Sequence, residues 1–457
     1  MRARHPSARP GFIIAGLVLV VLVTLLVLPL QREGTTTTAK GFPPSQRLVD
    51  SFMALLCRPP NDAETLRWDT KVFTSGELSA SVRATPESFR VRAIRKAFVD
   101  VLLRDPVEDG CSELREWTDR PTDVRDIARR LASSPEAQRV QEIRAVLRNS
   151  QGRDPAGWDN GTVQRWARSG FTADEVEARV RAQRPLVGVH YFAWYEEDSR
   201  GWGNRVTVVP KDTPQPSLGW YKSSDVGVMD AHIKQMTEAG FDFVILQVVV
   251  ERPESWEIAH TFLNRLEGTR LKAVVMVDGL YTATITTSRA SIEKASGEFA
   301  SHPSYFWLQG SPLFLLYSGR LDFRVPGITL RNVYWADRYA PGENTFNPDG
   351  LLYPHDWAFW SPTPQPIVNG VVPITPGYSD THLARSESME YPRDEGRMYR
   401  EQWQRALALR PEFVIVYSWN EHFERTAIEP TSAWGDQYLR WTACYAAHAH
   451  AGREGTC

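Results

Sequence analysis

A chain of 457 residues is too long for one average domain, and its formal net charge of −2 excludes the bulk basic face that nucleic-acid phosphates require. Apolar, charged, Gly and Pro contents are those of an ordinary globular protein, which excludes a fibrous or wholly disordered chain. Tryptophan is the outlier: there are 16, many in the C-terminal half, where a ring either fills a core or stacks on the C–H face of a sugar.

Residues 1–30 read as a cytoplasmic stub and a transmembrane helix. Arg2, Arg4 and Arg9 precede an uncharged apolar run from Gly11 to Leu30, and about 20 helical residues cross a hydrocarbon core of roughly 30 Å. Basic residues before the run, with Arg32 soon after it, predict the N-terminus inside and the bulk outside. The expectation is a single-pass cell-membrane protein with extracytoplasmic domains. A cleaved signal peptide, which would make the protein secreted, is the rival, but the run ends Val-Leu-Pro-Leu-Gln-Arg with no Ala-x-Ala site. Residues 31–44, with the Thr35 to Thr38 run and Gly41, Pro43 and Pro44, read as a linker.

Residues 45–185 read as an all-α domain of three helical units. Trp68, Trp117 and Trp166 recur at a spacing of 49, Pro86 and Pro135 keep that spacing, and Pro185 falls one residue late. Thr85-Pro86-Glu87 and Ser134-Pro135-Glu136 are helix starts: a hydroxyl N-cap, Pro at the first position, an acid in the first turn. A turn precedes each Trp: Leu56-Cys57-Arg58-Pro59, Leu103-Arg104-Asp105-Pro106 and Gly152-Arg153-Asp154-Pro155. On these features the units resemble the bacterial module called domain of unknown function 4214, with Cys57 where Gly is usual. That resemblance implies a spacer or docking role with a cell-surface partner, and no chemistry. Cys57, Cys111, Cys444 and Cys457 lack CxxC spacing, which argues against zinc. They allow three pairings, of which Cys57 with Cys111 and Cys444 with Cys457 keeps each bridge inside one domain; four free thiols is the other state.

From residue 186 to 457 short apolar runs alternate with helical stretches, the pattern of βα units around a parallel sheet. Strands are predicted at Val187–Phe192, Phe241–Val250, Ala273–Val277, Leu313–Tyr317, Asn332–Trp335, near Asp356–Trp360, at Val371–Thr375 and at Phe413–Tyr417. Helices are predicted at Asp225–Ala239, Ser291–Ala300, Met398–Ala408 and Gln437–His448. Eight units fit a C-terminal (β/α)8 TIM barrel. A doubly wound sheet would place a Gly-rich phosphate turn after the first strand, where this chain has Tyr191-Phe192-Ala193-Trp194-Tyr195.

In a barrel the chemistry sits where strands end. Candidate substrate-binding residues at that rim are Tyr191, Trp194, Tyr195, Gln247, Asp278, Tyr317, Trp357, Trp360, Tyr378, Trp419 and Asn420. The sharpest signal is Ser418-Trp419-Asn420-Glu421-His422-Phe423-Glu424-Arg425-Thr426-Ala427-Ile428-Glu429-Pro430. Glu421 and Glu424, three apart, fall on one side of a helical turn, and glycoside cleavage uses two carboxyl groups, one as proton donor and one as base or nucleophile. A solvated helix face gives the same spacing.

This stretch is similar to the Trp-Asn-Glu-x-x-Glu-Gly-Thr-x-Ile-Glu motif of glycoside hydrolase family 99, the endo-α-mannosidase and endo-α-mannanase family. Tyr191–Tyr195, Tyr221-Lys222-Ser223-Ser224-Asp225, His232, Ala239-Gly240-Phe241-Asp242, His302-Pro303-Ser304-Tyr305 and Pro376-Gly377-Tyr378 resemble further family elements in order. The resemblance implies a retaining α-mannoside hydrolase acting through the sugar's own 2-hydroxyl. Glu421 would deprotonate that hydroxyl and Glu424 would protonate the leaving oxygen, with no metal or organic cofactor. The chain has His422-Phe423 for the family's Trp-His and Arg425 for its Gly; a guanidinium beside Glu424 would favour the carboxylate form. The leading expectation is a membrane-anchored extracytoplasmic glycoside hydrolase with an oligo- or polysaccharide substrate. The alternative is a non-catalytic glycan-binding or cell-surface scaffold protein.

Overall fold

The computed structural model describes residues 44–457 apart from 70–74, 108–109, 152–159, 199–200, 205–206, 280–284, 318–324, 336–355, 361–368, 384 and 386–387. The expected membrane helix, and the linker up to its last residue, lie outside the described residues. Among the described residues no helix is long and apolar enough to cross a membrane.

Among the described residues nine helices come first: α1 (Gln46–Leu56), α2 (Asp62–Asp69), α3 (Ser75–Arg83), α4 (Pro86–Leu102), α5 (Ser112–Thr118), α6 (Val124–Ala132), α7 (Pro135–Gln151), α8 (Asn160–Ala167) and α9 (Ala173–Arg181). Side-chain caps start the long helices: Ser45 accepts from Leu48 N–H, Thr85 from Ser88 N–H and Ser134 from Ala137 N–H. Cys57 and Leu103 close α1 and α4 with φ of 54° and 58°. That left-handed conformation explains why Gly is the usual residue of this turn.

The turn arginines clasp acids of the next helices. Arg58 donates to Glu64 and Glu87, and Arg104 donates to Glu113 and Glu136. Each guanidinium also lies over a ring, Arg58 at 5.4 Å from Phe52 and Arg104 at 5.2 Å from Phe98. Trp68 meets Phe52 edge-on at 5.9 Å and Trp117 meets Phe98 edge-on at 6.2 Å. These are equivalent places. Trp166 instead packs in a separate cluster beside Phe171 and Leu147. The reason is legible: the residue six before the turn arginine is Phe52, then Phe98, then Leu147. Both within-region disulfides form, Cys57–Cys111 and Cys444–Cys457.

Eight parallel strands come next: β1 (Leu186–Phe192), β2 (Phe243–Val249), β3 (Lys272–Asp278), β4 (Ser311–Tyr317), β5 (Thr329–Trp335), β6 (Asp356–Trp360), β7 (Val371–Ile374) and β8 (Phe413–Val416). They pair in the order β7-β8-β1-β2-β3-β4-β5-β6. This circular order is that of a TIM-barrel-like fold, with β6 and β7 at the two ends of the hydrogen-bonded path. Helices α10 (Val226–Glu238), α11 (Pro253–Arg265), α12 (Ile285–Phe299), α13 (Arg397–Leu409) and α14 (Gln437–Ala451) come after β1, β2, β3, β7 and β8. The connections that follow β4, β5 and β6 lie wholly or partly outside the described residues.

Alternation sorts the strands' side chains. Phe243, Ile245, Val274, Met276, Leu313, Leu315, Phe413 and Ile415 fill the interior. Val187, Val189, Tyr191, Val244, Leu246, Val275 and Val277 face the helices. Gly188 points inward, and a Cβ there would stand 2.3 Å from the Phe243 ring, so the position admits no side chain. The repeats dock at the N-terminal ends of the strands. Arg165 of α8 pairs with Glu412 before β8, and Gly161 N–H donates to Asn369 before β7.

Candidate active site

The turn after β8 carries the two acids. It is an irregular turn closed by its own hydrogen bonds, where the spacing predicts a helical turn. Ser418 Oγ accepts from Glu421 N–H at 2.7 Å and lies 3.0 Å from Thr426 Oγ1. Thr426 N–H donates to Glu421 C=O and Ile428 N–H to Ser418 C=O, both at 3.0 Å. Arg425 has φ of 55°, which accounts for the Gly at this place in the family motif. Its guanidinium is bonded to Asp212 at 2.7 Å, so it is not the cation beside Glu424.

That cation is Arg385. It donates to Glu424 Oε1 at 2.7 Å, to Asp380 Oδ2 at 2.9 Å and to the Tyr378 hydroxyl at 2.7 Å. Tyr417 donates to Glu424 Oε2 at 3.1 Å. Glu421, 3% exposed, accepts from Phe423 N–H at 2.8 Å. Burial, and then the negative charge of Glu424, push Glu421 well above the usual carboxylate range; the Phe423 and Glu424 amides and Arg385 oppose this without cancelling it. Two neighbouring acids therefore stand in unlike surroundings, the arrangement that divides acid from base.

Behind the turn lies a buried network. Glu429 accepts from Tyr221 at 2.7 Å and from the Nε2 atoms of His232 at 3.1 Å and His422 at 2.6 Å. Burial works to raise the Glu429 pKa, but the bonds from His232 and His422 outweigh it and hold the group at about 2. With His232 Nε2 donating to Glu429, its Nδ1 accepts from Tyr191, 3.1 Å away.

The structure separates the candidate substrate-binding residues. Tyr191 and Trp419 lie on the outer face among the helix-packing side chains, both fully buried. Asn420 ties the turn to β1, exchanging bonds with the N–H and C=O of Phe192 and donating to Tyr221. Trp357 is core inside the barrel, 4.9 Å from Phe413. The Trp360 side chain lies outside the described residues. Tyr195 is buried between Trp202 at 4.2 Å and Phe423 at 5.7 Å, and its oxygen accepts from His422 N–H. Trp194 is half-buried, 6.1 Å from Phe423. Gln247 donates to Asp278 where β2 and β3 end, facing the interior. Half-buried Tyr317 acts electrostatically on Tyr417, and Tyr378 is held by Asp380 and Arg385. Tyr317 and Tyr378 thus stand with Tyr417 near the acids, Trp194 packs beside Phe423, and Tyr191 is turned away from them.

A cavity of about 290 Å³ opens beside the turn, between Tyr378, Tyr391, Arg393, Arg425 and Trp434. Sequence reasoning missed Arg385, Asp380 and Tyr417, which no spacing marks. Glu429 carried a signal, since it ends the motif. Among the described residues the one cluster of metal-ligand types is Cys444, His448 and Cys457, whose sulfurs are joined to each other.

No family model matches the chain and no curated protein matches it. Among solved structures it is similar in fold to the GH99 endo-alpha-mannosidase from Bacteroides thetaiotaomicron. That match has 16% identity and a TM-score of 0.46, and covers 58% of this chain and 98% of that one. The same enzyme in complex with BIS-TRIS-propane matches at 17% identity and a TM-score of 0.47, over 57% of this chain and 96% of that one. A glycoside hydrolase-like protein matches at 13% identity and a TM-score of 0.39, over 57% of this chain and 94% of that one.

Proposed function

We propose that this chain is a retaining glycoside hydrolase that cleaves an α-linked, mannose-containing glycan with Glu421 and Glu424. The observation that supports it best is the pair itself: two buried carboxyl groups on one turn at the strand-end rim, one salt-bridged and the other held by amides alone. Glycoside cleavage needs one carboxyl that keeps its proton near neutral pH and one that is ionised. The family 99 motif supplies the sugar and the 2-hydroxyl route. The half-buried Trp194 and Tyr317, with Tyr378, supply rings for the sugar's apolar face. The apolar run at Gly11–Leu30 supports an N-inside membrane anchor with the catalytic part outside, and the helical units then serve as a spacer or docking surface.

The test is incubation of the full chain with a panel of α-linked glycans, read by product mass and anomeric form. Release of a product with retained configuration supports the reading. The Arg385–Glu424 pair favours a second reading, a glycan-binding protein without turnover, since the guanidinium occupies one acid. Binding across the panel with no hydrolysis would select it.

A further inference from the structure

We propose that the cavity beside the turn is a second sugar-binding subsite, which holds one uncharged unit of the glycan away from the bond that is cleaved. This deepens the reading above and rests on its glycan substrate, though not on turnover.

Three connections at the C-terminal ends of the strands wall the cavity: 212–214 between β1 and α10, 390–394 after β7, and residues of 425–434 after β8. Neither Glu421 nor Glu424 lines it, while their chain neighbours His422 and Arg425 do, so the two places adjoin. The chain's own bonds hold these walls. Tyr378 pairs with Tyr391 and Ser379 with Glu390 across an antiparallel bridge. Arg393 donates to the carbonyls of Arg425 at 2.9 Å and Ala427 at 2.6 Å, and lies over the rings of Tyr438 at 4.8 Å and Trp434 at 5.6 Å. Gly377 admits this crossing, since a Cβ there would stand 2.8 Å from Arg393 Cγ. Ser432 N–H donates to Gln215 C=O at 2.8 Å and fastens the far wall. A pocket shaped in advance loses little free energy to ordering when it binds.

Size, rings and charge select the ligand. The volume of about 290 Å³ stands at the small end of ligand pockets, which run from roughly 300 to 1,000 Å³. Tyr391 and Trp434, both half-buried, give it aromatic walls on which the C–H face of a sugar can stack. The lining carries both signs of charge, Arg393 and Arg425 against Asp212, Glu390 and Asp394. An anion would meet the carboxylates there, and a cation the guanidiniums. A neutral polyol meets neither penalty, because each hydroxyl can donate to a carboxylate or accept from a guanidinium. Arg425 also has a donor to spare. Its Nη2 is on Asp212, and its buried Nε–H has no hydrogen-bond partner among the described residues. A buried donor of that kind calls for an oxygen from outside the chain.

The test uses the full chain and two probes: an α-linked mannotetraose, which can occupy both places, and 2,4-dinitrophenyl α-mannoside, whose single sugar fills one. Two variants alter the cavity, Tyr391→Ala and Glu390→Ala; Glu390 is exposed, so its removal leaves the fold intact. Calorimetry on the Glu421→Gln/Glu424→Gln background reads mannotetraose binding without cleavage. Each cavity variant should raise the Kd by about tenfold. With both acids restored, each should raise the mannotetraose KM by a like factor with kcat unchanged, and keep the wild-type kcat/KM for dinitrophenolate release. Unchanged mannotetraose affinity in both variants overturns the subsite, as does a mannotetraose that the chain does not bind. Equal losses on both probes overturn it too, since the cavity would then belong to the place where the bond is cleaved. Weakened mannotetraose binding in a chain that cleaves neither probe sustains the subsite and counts against the hydrolase reading alone.

Discussion

The helical region and the barrel both place an arginine between carboxylates, and they use it differently. In the repeats every acid of the clasp touches a guanidinium: Arg58 holds Glu64 and Glu87, Arg115 joins Glu87, and Arg104 holds Glu113 and Glu136. At the rim Arg385 reaches Asp380 and Glu424, and among the described residues Glu421, three before Glu424, has no ion pair. A fully paired cluster fixes a turn and has nothing to titrate near neutral pH. An underpaired cluster keeps a proton in place. The same side chains make a fully paired clasp in one region and an underpaired cluster in the other, the arrangement the proposed proton handling would need.

The largest effects should break the rim's half of this comparison. Glu424→Gln and Glu421→Gln should each lower natural-glycan turnover by about 10²–10⁴. Glu421→Gln should at the same time make the protein more stable above pH 4.5. Glu421 is pushed up on folding, so between its unfolded and folded pKa values the native state binds more protons and stability falls as pH rises. The amide removes that loss. Melting temperature against pH for wild type and variant checks the sign, and parallel curves would contradict a raised Glu421.

In the repeats Arg104→Ala should cost about 3 kcal/mol of stability, because a guanidinium 8% exposed leaves two acids behind. Arg58, 22% exposed, should cost about 1 kcal/mol when replaced by Ala. Neither should alter kcat, since the repeats meet the barrel at Glu412 and Asn369, on the end away from the acids. A fall in kcat for folded Arg104→Ala would join the two regions energetically.

Glu429→Gln probes the network behind the turn. A carboxyl held at about 2 on folding against an ordinary 4.5 contributes about 3 kcal/mol, present above pH 4.5 and lost as pH falls towards 2. The variant should therefore unfold more readily at pH 7 and match the wild type near pH 2. A constant difference across that range would mean that the hydrogen bonds, and not the charge, do the holding.

Much of the barrel is legible in the sequence. All eight strands fall within three residues of their expected limits, because a parallel sheet covered on both faces is written as continuous Val, Ile, Leu and Phe runs. Helix α11 escapes the pattern, since Pro253-Glu254-Ser255-Trp256 comes too soon after β2 to separate by periodicity. Tyr191 reads as a site residue because it begins an aromatic run. Period-two alternation with Gly188 and Phe192 turns it to the helices. Arg385 is illegible: it lies 39 residues from Glu424 in a loop without periodicity, and only the folded chain brings them together. The cation expected on Glu424 is Arg425, its chain neighbour, but φ of 55° turns that side chain to Asp212.

Arg425 gives the smallest expected effect, and one that sharpens the comparison. Both motif resemblances put Gly where this chain has a residue with positive φ: Cys57 in the helical turn and Arg425 at the rim, with Leu103 the equivalent of Cys57 in the next unit. A non-Gly residue in that conformation costs about 1 kcal/mol. Cys57 offsets the cost with a disulfide and Leu103 with full burial, so Gly at either place should destabilise. Arg425 offsets it with an ion pair whose partner, Asp212, is 69% exposed, worth between nothing and about 1 kcal/mol. Arg425→Gly should therefore be neutral or stabilise by up to about 1 kcal/mol in thermal unfolding. A clear loss of stability would show that the Asp212 pair outweighs the strain of the positive φ.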